Sequence, residues 1–334
     1  MKKILKKIYS LHGLNQSEIY ELFNYILFKN IKEIELAGSI IAMKMRGETI
    51  NEIIGMTHLF LEKAKKFPTP QYNFSDIVGT GGDNNNDINI STVSAFVAAS
   101  LGLKIAKHCN IGITSTSGSS NLLKKFQINL TQEPKISRLS LDKFNLCFLF
   151  APFYNKGYKN IHHIRHTLST RTIFNILGPL TNPSRPPFTL IGVYNIKWIS
   201  IIIKILKKLN YKKAIVLSSN NTDEVSLSGE THVSELYDGK IISYILQPKD
   251  FGFQPLDIKK SSGGTPSENY TLIKKLLQGD GNIQHAQIIS ANVAMVLKIF
   301  GYNNLKENAQ HALEIIQSGI VYKKILQIKK IGIV

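Results

Sequence analysis

Cysteine is nearly missing from this chain. Its 334 residues include two, Cys109 and Cys147, and neither belongs to a Cys-x-x-Cys or Cys/His metal spacing. That excludes a disulfide framework and fits a reducing, cytoplasmic setting. Acidic side chains are also scarce: 23 Asp and Glu face 41 Lys and Arg, for a formal net charge of +18. Long apolar runs are lacking too. The most aliphatic stretch, Trp198–Leu206, is cut by Lys204 and is too short to span a bilayer. The opening MKKILKKIYS is basic but has no unbroken apolar segment, so it does not read as a signal peptide. No internal repeat or low-complexity tract is visible.

What is present is a globular composition, 43% hydrophobic with a mean hydropathy of -0.03, which predicts a soluble protein. The length exceeds one typical core, so a large domain plus a smaller one is expected. A nucleic-acid surface would explain the positive charge, and so would a general drift toward Lys, Asn and Ile. The lysines are spread along the chain, and many stand between aliphatics (Lys204, Lys207, Lys208; Lys323, Lys324, Lys329, Lys330). On helices this spacing marks a solvated face, which favours drift and makes nucleic acid an unexpected partner. The positive field would still attract a small polyanion.

The first seventy or so residues read as helices. Asn15 with Glu18 and Thr49 with Glu52 are capping-box pairs ahead of helically spaced apolar residues (Ile19, Leu22, Phe23, Ile26, Leu27; Ile53, Met56, Phe60). Phe67-Pro68-Thr69-Pro70 ends this region as a stiff connection and a candidate hinge. Beyond it, short apolar strands (Phe74–Val78, Leu103–Ala106, Leu146–Phe150, Thr189–Val193, Ala214–Leu217) alternate with helices, among them Trp198–Leu209, Tyr270–Leu277, Ala286–Phe300 and Leu305–Ser318. The fold class expected is therefore α/β: a small all-α domain and a larger α/β domain with a mostly parallel central sheet. The segment from about Asn160 to Leu177 reads as helix, and the run Asn175–Pro183 reads as a turn leaving it.

The chemistry concentrates between Gly79 and Ser119. GTGGD (Gly79, Thr80, Gly81, Gly82, Asp83) follows a strand, and NIST (Asn89, Ile90, Ser91, Thr92) opens a helix. KHCN (Lys107, His108, Cys109, Asn110) comes next, and then Thr114, Ser115, Ser117, Gly118 and Ser119. Small residues admit backbone N–H groups to an anion, and hydroxyls at a helix start add donors where the dipole favours negative charge. The pattern is neither a Rossmann fingerprint, for want of a third glycine, nor a P-loop, for want of the Lys-Ser/Thr step. Lys107 reads as a point charge for a phosphate or as a surface lysine. Asp223 and Glu224 read as ligands for a hard cation or as a solvated loop pair. Arg165 reads as a fork for a carboxylate or as a surface helix arginine.

These motifs, in this order, resemble the anthranilate phosphoribosyltransferase family. FLFAP (Phe148–Pro152), Arg165, RTIFNILGPLTNP (Arg171–Pro183) and DEVSLSGETHVSEL (Asp223–Leu236) extend the likeness over nearly the whole chain. The resemblance implies transfer of phosphoribose from phosphoribosyl pyrophosphate (PRPP) to anthranilate in tryptophan biosynthesis. It implies PRPP contacts at Gly79, Gly82, Asp83, Asp87, Asn89, Ile90, Ser91, Thr92, Lys107, Thr114, Ser115 and Ser119, and anthranilate contacts at Gly79, His108, Asn110 and Arg165. Mg²⁺, two ions per subunit, is implied on Ser91, Asp223 and Glu224, and no single residue is implied as a catalytic base. It further implies a cytoplasmic homodimer joined through the helical domain. The helical domain would comprise 1–70 with a returning segment of about 160–183, and the PRPP-binding domain 71–159 and 184–334.

The chain departs from the family pattern at Asp87, where a hydroxyl is usual, and at Cys109, Ile111, Asn155, Tyr158 and His166. Two other functions stay in view. One is a pyrimidine nucleoside phosphorylase, disfavoured by Arg165 and the acid pair. The other is a non-catalytic nucleic-acid-binding relative, favoured by charge alone.

Overall fold

The computed structural model describes residues 1–29, 32–81, 88–110, 118–220, 222–256 and 264–331. The chain opens with α1 (Lys2–Tyr9), α2 (Gln16–Asn24), a π-helical turn (Tyr25–Lys29), α3 (Glu33–Arg46) and α4 (Ile50–Lys63). Both predicted capping boxes form: Asn15 and Glu18 close the start of α2, and Thr49 and Glu52 that of α4. Glu52 does more than cap. Fully buried, it also accepts from Leu14 N at 2.9 Å and pairs with Arg46, tying the α1–α2 connection to α4.

The rest follows as β1 (Ser75–Gly79), α5 (Ile90–Ser100), β2 (Ile105–Cys109), α6 (Ser119–Lys125), α7 (Pro134–Phe144) and β3 (Leu146–Phe150). Three helices come next, α8 (Ala151–Tyr154), α9 (Lys156–Leu168) and α10 (Ile173–Leu180). The chain continues through β4 (Phe188–Gly192), α11 (Lys197–Lys208), β5 (Lys213–Ser219), β6 (Thr231–Tyr237) and β7 (Lys240–Leu246). It ends with α12 (Pro266–Leu277), α13 (Ile283–Phe300), α14 (Leu305–Gln317) and α15 (Ile320–Lys330). The seven strands form one sheet in the order β3-β2-β1-β4-β5-β6-β7. The first five are parallel, and β6 and β7 add an antiparallel hairpin. The expected fold class is therefore the observed one: a small helical domain and a larger α/β domain with a mostly parallel sheet.

Two large apolar cores flank the sheet. One joins it to α5, α13, α14 and α15. The other runs without a break from the N-terminal helices through α9 and α10 to β4, α11 and β5. The helix α13 is long and apolar enough to cross a membrane, and its apolar residues are packed into the first of these cores.

Four expectations need correction. The stretch read as one helix from Asn160 to Leu177 is two, because Ser169 takes a left-handed conformation that closes α9. The run read as a turn is mostly α10, with Pro179 in its last turn. The candidate hinge is pinned: Phe67 is buried, Arg138 donates to Pro68 O at 2.8 Å, and Lys65 N donates to Tyr154 O at 2.7 Å. Lys324 does not lie on a solvated face; it donates to Ala99 O at 2.7 Å and Phe144 O at 3.3 Å, satisfying carbonyls at the C-terminal ends of α5 and α7.

Candidate active site

The connection that follows β1 runs through α5 to β2 on one side of β1, whereas β4 lies on its other side. The crevice beyond the C-terminal ends of β1 and β4 is therefore the switch point at which open α/β sheets bind ligands. Into it falls the loop after β5. Asp223 Oδ2 accepts from Gly81 N at 2.6 Å, and Glu224 Oε1 accepts from Ser91 N at 3.2 Å. One acid thus anchors the turn after β1, and its neighbour sits at the head of α5, where the helix dipole favours negative charge.

This convergence depends on two glycines. A Cβ on Gly79 would lie 2.2 Å from Asp223 Oδ2, and one on Gly192 would lie 1.5 Å from the Asp223 carbonyl oxygen. Asp223 passes directly over the ends of β1 and β4, and no side chain fits beneath it. The same turn is stapled to β4 by Thr80, whose N donates to Gly192 O at 3.0 Å and whose Oγ1 accepts from Tyr194 N at 3.2 Å. The backbone of Val225 is clamped at both groups by Asn292 of α13, at 2.9 Å and 3.0 Å.

Lys107 lies within β2 and is 2% exposed, which removes the surface-lysine reading. Its Nζ donates to Ile77 O at 2.5 Å and Ser91 Oγ at 3.2 Å. Burial lowers its pKa, opposed chiefly by the Asp76 carboxylate. Asn89 precedes α5 in a left-handed conformation, and Ile90 and Ser91 form its first turn. The Thr92 hydroxyl is fully buried with no partner among the described residues. Asn110 follows β2, and Ser119 opens α6. Gly82, Asp83, Asp87, Thr114 and Ser115 lie outside the described residues.

The donor set at Ser91, Asp223 and Glu224 is all oxygen, two carboxylates and a hydroxyl, as a hard divalent cation requires. Among the described residues, no three His, Cys, Asp or Glu side chains converge. A cation here would complete its shell from solvent or substrate oxygens, the habit of Mg²⁺ rather than of Zn²⁺.

On the helical side, Arg165 of α9 is 7% exposed, and its guanidinium has no hydrogen-bond acceptor among the described residues. Burial pushes its pKa down to about 10, which leaves it charged at neutral pH. A buried cation without an anion is costly, so the fork is poised for one. Near it, Tyr158 stacks edge-on to His108, with ring centroids 6.2 Å apart, and bonds to Thr181. Asn155, the other departure in this region, caps α9 and donates to Phe60 O at 2.5 Å.

His108 places Nδ1 2.9 Å from Gly178 O, so that nitrogen carries the proton and Nε2 is left as an acceptor. Burial holds its pKa down at about 4, while burial lifts the Asp76 carboxyl to about 6. The two act oppositely on stability. His108 contributes stability above its unfolded value that is lost as pH falls through about 4. Asp76 contributes stability below its unfolded value that is lost as pH rises through about 6. Each amounts to about 3 kcal/mol, so they largely cancel between pH 4 and 6. In Asp76→Asn the histidine acts unopposed. Urea midpoints of that variant should fall more steeply than the wild type's between pH 6.5 and 4.5; parallel profiles would contradict the pairing.

Sequence reasoning missed Gly192, Asp76, Asn182 and Asn292. Gly192 ends an apolar strand and gives a faint signal as a close approach; the others act through neighbours that only the strand order supplies.

Comparison with known proteins identifies the family. Residues 71–322 match the glycosyl transferase family a/b domain, and residues 2–64 match the glycosyl transferase family helical bundle domain. The chain is 55% identical to the anthranilate phosphoribosyltransferase of Buchnera aphidicola subsp. Acyrthosiphon pisum (strain Tuc7), over 97% of this chain and 95% of that protein. Against the enzyme of Buchnera aphidicola subsp. Melaphis rhois it is 49% identical over 99% and 100%. The crystal structure of the Thermus thermophilus enzyme superimposes with a TM-score of 0.91 at 30% identity, covering 99% of each chain. The Saccharomyces cerevisiae enzyme in complex with PRPP and Mg gives 0.89 at 25% identity, covering 99% and 98%. By sequence along nearly its whole length and by fold, this chain belongs to the anthranilate phosphoribosyltransferase family.

Proposed function

We infer that the chain transfers the phosphoribosyl group of PRPP to the amino nitrogen of anthranilate, releasing pyrophosphate. The observation that carries this reading is the convergence of Asp223 on the glycine turn and Glu224 on the head of α5, with Lys107 buried beside them. The turn, the helix head and Lys107 would bind the diphosphate and 5-phosphate oxygens, and the buried Thr92 hydroxyl would find its acceptor there. Gly82, Asp83, Asp87, Thr114 and Ser115 are proposed for the same ligand. Ser91, Asp223 and Glu224 would hold Mg²⁺, two ions in our reading, which supplies charge neutralisation for the departing pyrophosphate.

An aromatic amine is a weak nucleophile, so orientation and leaving-group stabilisation carry the rate. Arg165 would grip the acceptor's carboxylate with Asn110 and Gly79 alongside it, and the His108 and Tyr158 rings would face its ring. His108 is held neutral, and with a pKa of about 4 it is too weak a base to remove a proton outright. An Nε2 acceptor would instead orient the amine.

The helical domain would comprise 1–70 with about 160–183, because Phe60 packs edge-on against Phe174. The remainder, 71–159 and 184–334, forms the PRPP-binding domain. Assembly as a homodimer through the helical domain and a cytoplasmic location complete the proposal.

The test is loss of anthranilate fluorescence with PRPP and Mg²⁺. Consumption is expected; its absence, with thymidine phosphorolysis in its place, would assign the chain to the nucleoside phosphorylases. Within this assay Arg165→Ala should raise the KM for anthranilate tens- to hundreds-fold, about 2–3 kcal/mol, and that for PRPP far less. Equal damage to both would make Arg165 structural.

A further inference from the structure

The strands β1 and β2 carry both arms of the site, yet they barely pair. Their register holds at Ser75 and Ile105 alone, whereas β1 with β4 and β2 with β3 each match over five residues. Side chains fill the gap. Asp76 Oδ1 accepts from Ile77 N at 2.7 Å and, across the gap, from His108 N at 3.1 Å. Asn182 Nδ2 donates to Asp76 Oδ2 and to Ala106 O, both at 2.8 Å, so one amide bridges the two strands. Asn182 is itself held: its Oδ1 accepts from Ser184 N at 2.9 Å and Ser184 Oγ at 2.6 Å. Asp76, Asn182 and Ser184 are at most 1% exposed.

We infer that Asp76 and Asn182 are positioning residues for PRPP binding: a polar wedge that replaces the β1–β2 ladder and sets Lys107 and His108 at the mouth of the crevice. A backbone ladder would satisfy the same strand groups without burying a carboxylate, which costs several kcal/mol of desolvation in an interior. What the wedge adds is freedom for Lys107: beyond the one register pair, Ile77 O accepts from Lys107 Nζ, which also donates to Ser91 Oγ. Asn182 belongs to the segment that leaves α10, whose Gly178 O receives His108. One short stretch therefore fixes His108 at its ring and, through Asp76, at its backbone. Neither wedge residue is itself assigned to substrate: Asp76 acts through His108, whose backbone N donates to it, and Asn182 acts through Asp76 and Ala106, the neighbour of Lys107.

This inference rests on the PRPP reading of the site, and its test separates the two. Asp76→Asn keeps an acceptor for both backbone N–H groups but turns an amide donor against the Asn182 donor. Asn182→Ala removes the bridge. Ser184→Ala, the mildest, loosens Asn182 by one hydrogen bond and leaves the wedge standing. The KM and calorimetric affinity for PRPP would be measured at saturating Mg²⁺, with melting temperatures recorded in parallel. The expected result is PRPP binding weakened tenfold or more in Asn182→Ala, several-fold in Asp76→Asn and two- to threefold in Ser184→Ala, with a smaller rise in the anthranilate KM that follows the loosening of His108. A purely structural role would lower the melting temperature and the amount of active protein but leave the KM of the folded fraction unchanged. Wild-type PRPP affinity in Asp76→Asn and Ser184→Ala would overturn the inference alone; failure of the wild-type chain to bind PRPP would defeat the reading of the site as well.

Discussion

Asp223→Asn combined with Glu224→Gln is expected to cut Mg²⁺-dependent phosphoribosyl transfer by on the order of 10³-fold in a chain that stays folded. The amides are nearly isosteric with the acids. The amide in place of Asp223 can still accept from Gly81 N, and the amide in place of Glu224 from Ser91 N, so the turn and the head of α5 keep their anchors. The clamp of Asn292 on the Val225 backbone is untouched. What is lost is charge: two carboxylates able to hold a hard cation beside a polyanion become two neutral dipoles. Initial rates across a Mg²⁺ titration, with circular dichroism to confirm folding, would measure the effect. Turnover near the wild-type rate in the folded double variant would sink the metal assignment.

Gly192→Ala should lower kcat/KM by about 10²-fold, the scale of an ångström-sized misplacement of reacting groups. The added Cβ would lie 1.5 Å from the Asp223 carbonyl oxygen, a backbone atom that cannot rotate aside. Either β4 or the acid loop must move, and the loop is the smaller body. Asp223 would then withdraw from Gly81, and overpacking of this kind adds roughly 1–3 kcal/mol of instability. The Mg²⁺ concentration for half-maximal rate should rise along with the loss of rate. Unaltered Mg²⁺ dependence would show that the loop does not need its seat on Gly192.

Much of the architecture was legible because its causes are local. The capping boxes at Asn15 and Thr49 are written in four consecutive residues, and both form. The parallel strands are short buried runs that stand out against polar turns. The hairpin β6–β7 was not recognised. Its outer strand, Lys240–Leu246, is apolar at Ile241, Ile242, Tyr244, Ile245 and Leu246 without strict alternation, so its sequence marks no single buried face, and only Leu246 is buried. The proline in Ile173–Leu180 signalled a turn, yet Pro179 stands inside α10, where burial of nearly every residue of the helix outweighs the backbone bond that proline removes. In the site, Lys107, Arg165 and the acid pair were identifiable by residue type and by family resemblance, but the burial of Lys107 and Arg165 was not. Whether an arginine on a helix faces solvent or the crevice depends on packing between α9 and the sheet. Asp76 and Asn182 were invisible because their partnership depends on two strands failing to pair.

The anchoring of the acid loop has a consequence for how the chain is made. Gly81 and Asp223 are 142 positions apart, and Val225 waits a further 67 for Asn292. During synthesis the glycine turn and the head of α5 emerge early and must stay without their acids until more than a hundred further residues have followed. Loop closure over such separations is slow relative to forming the local helices. The donor pocket is therefore a late product of folding, and a nascent chain has no use for substrate until α13 has docked. Once complete, the pocket ties early and late parts of the chain together. A ligand bound there stabilises the whole fold by mass action and not merely the loops it touches.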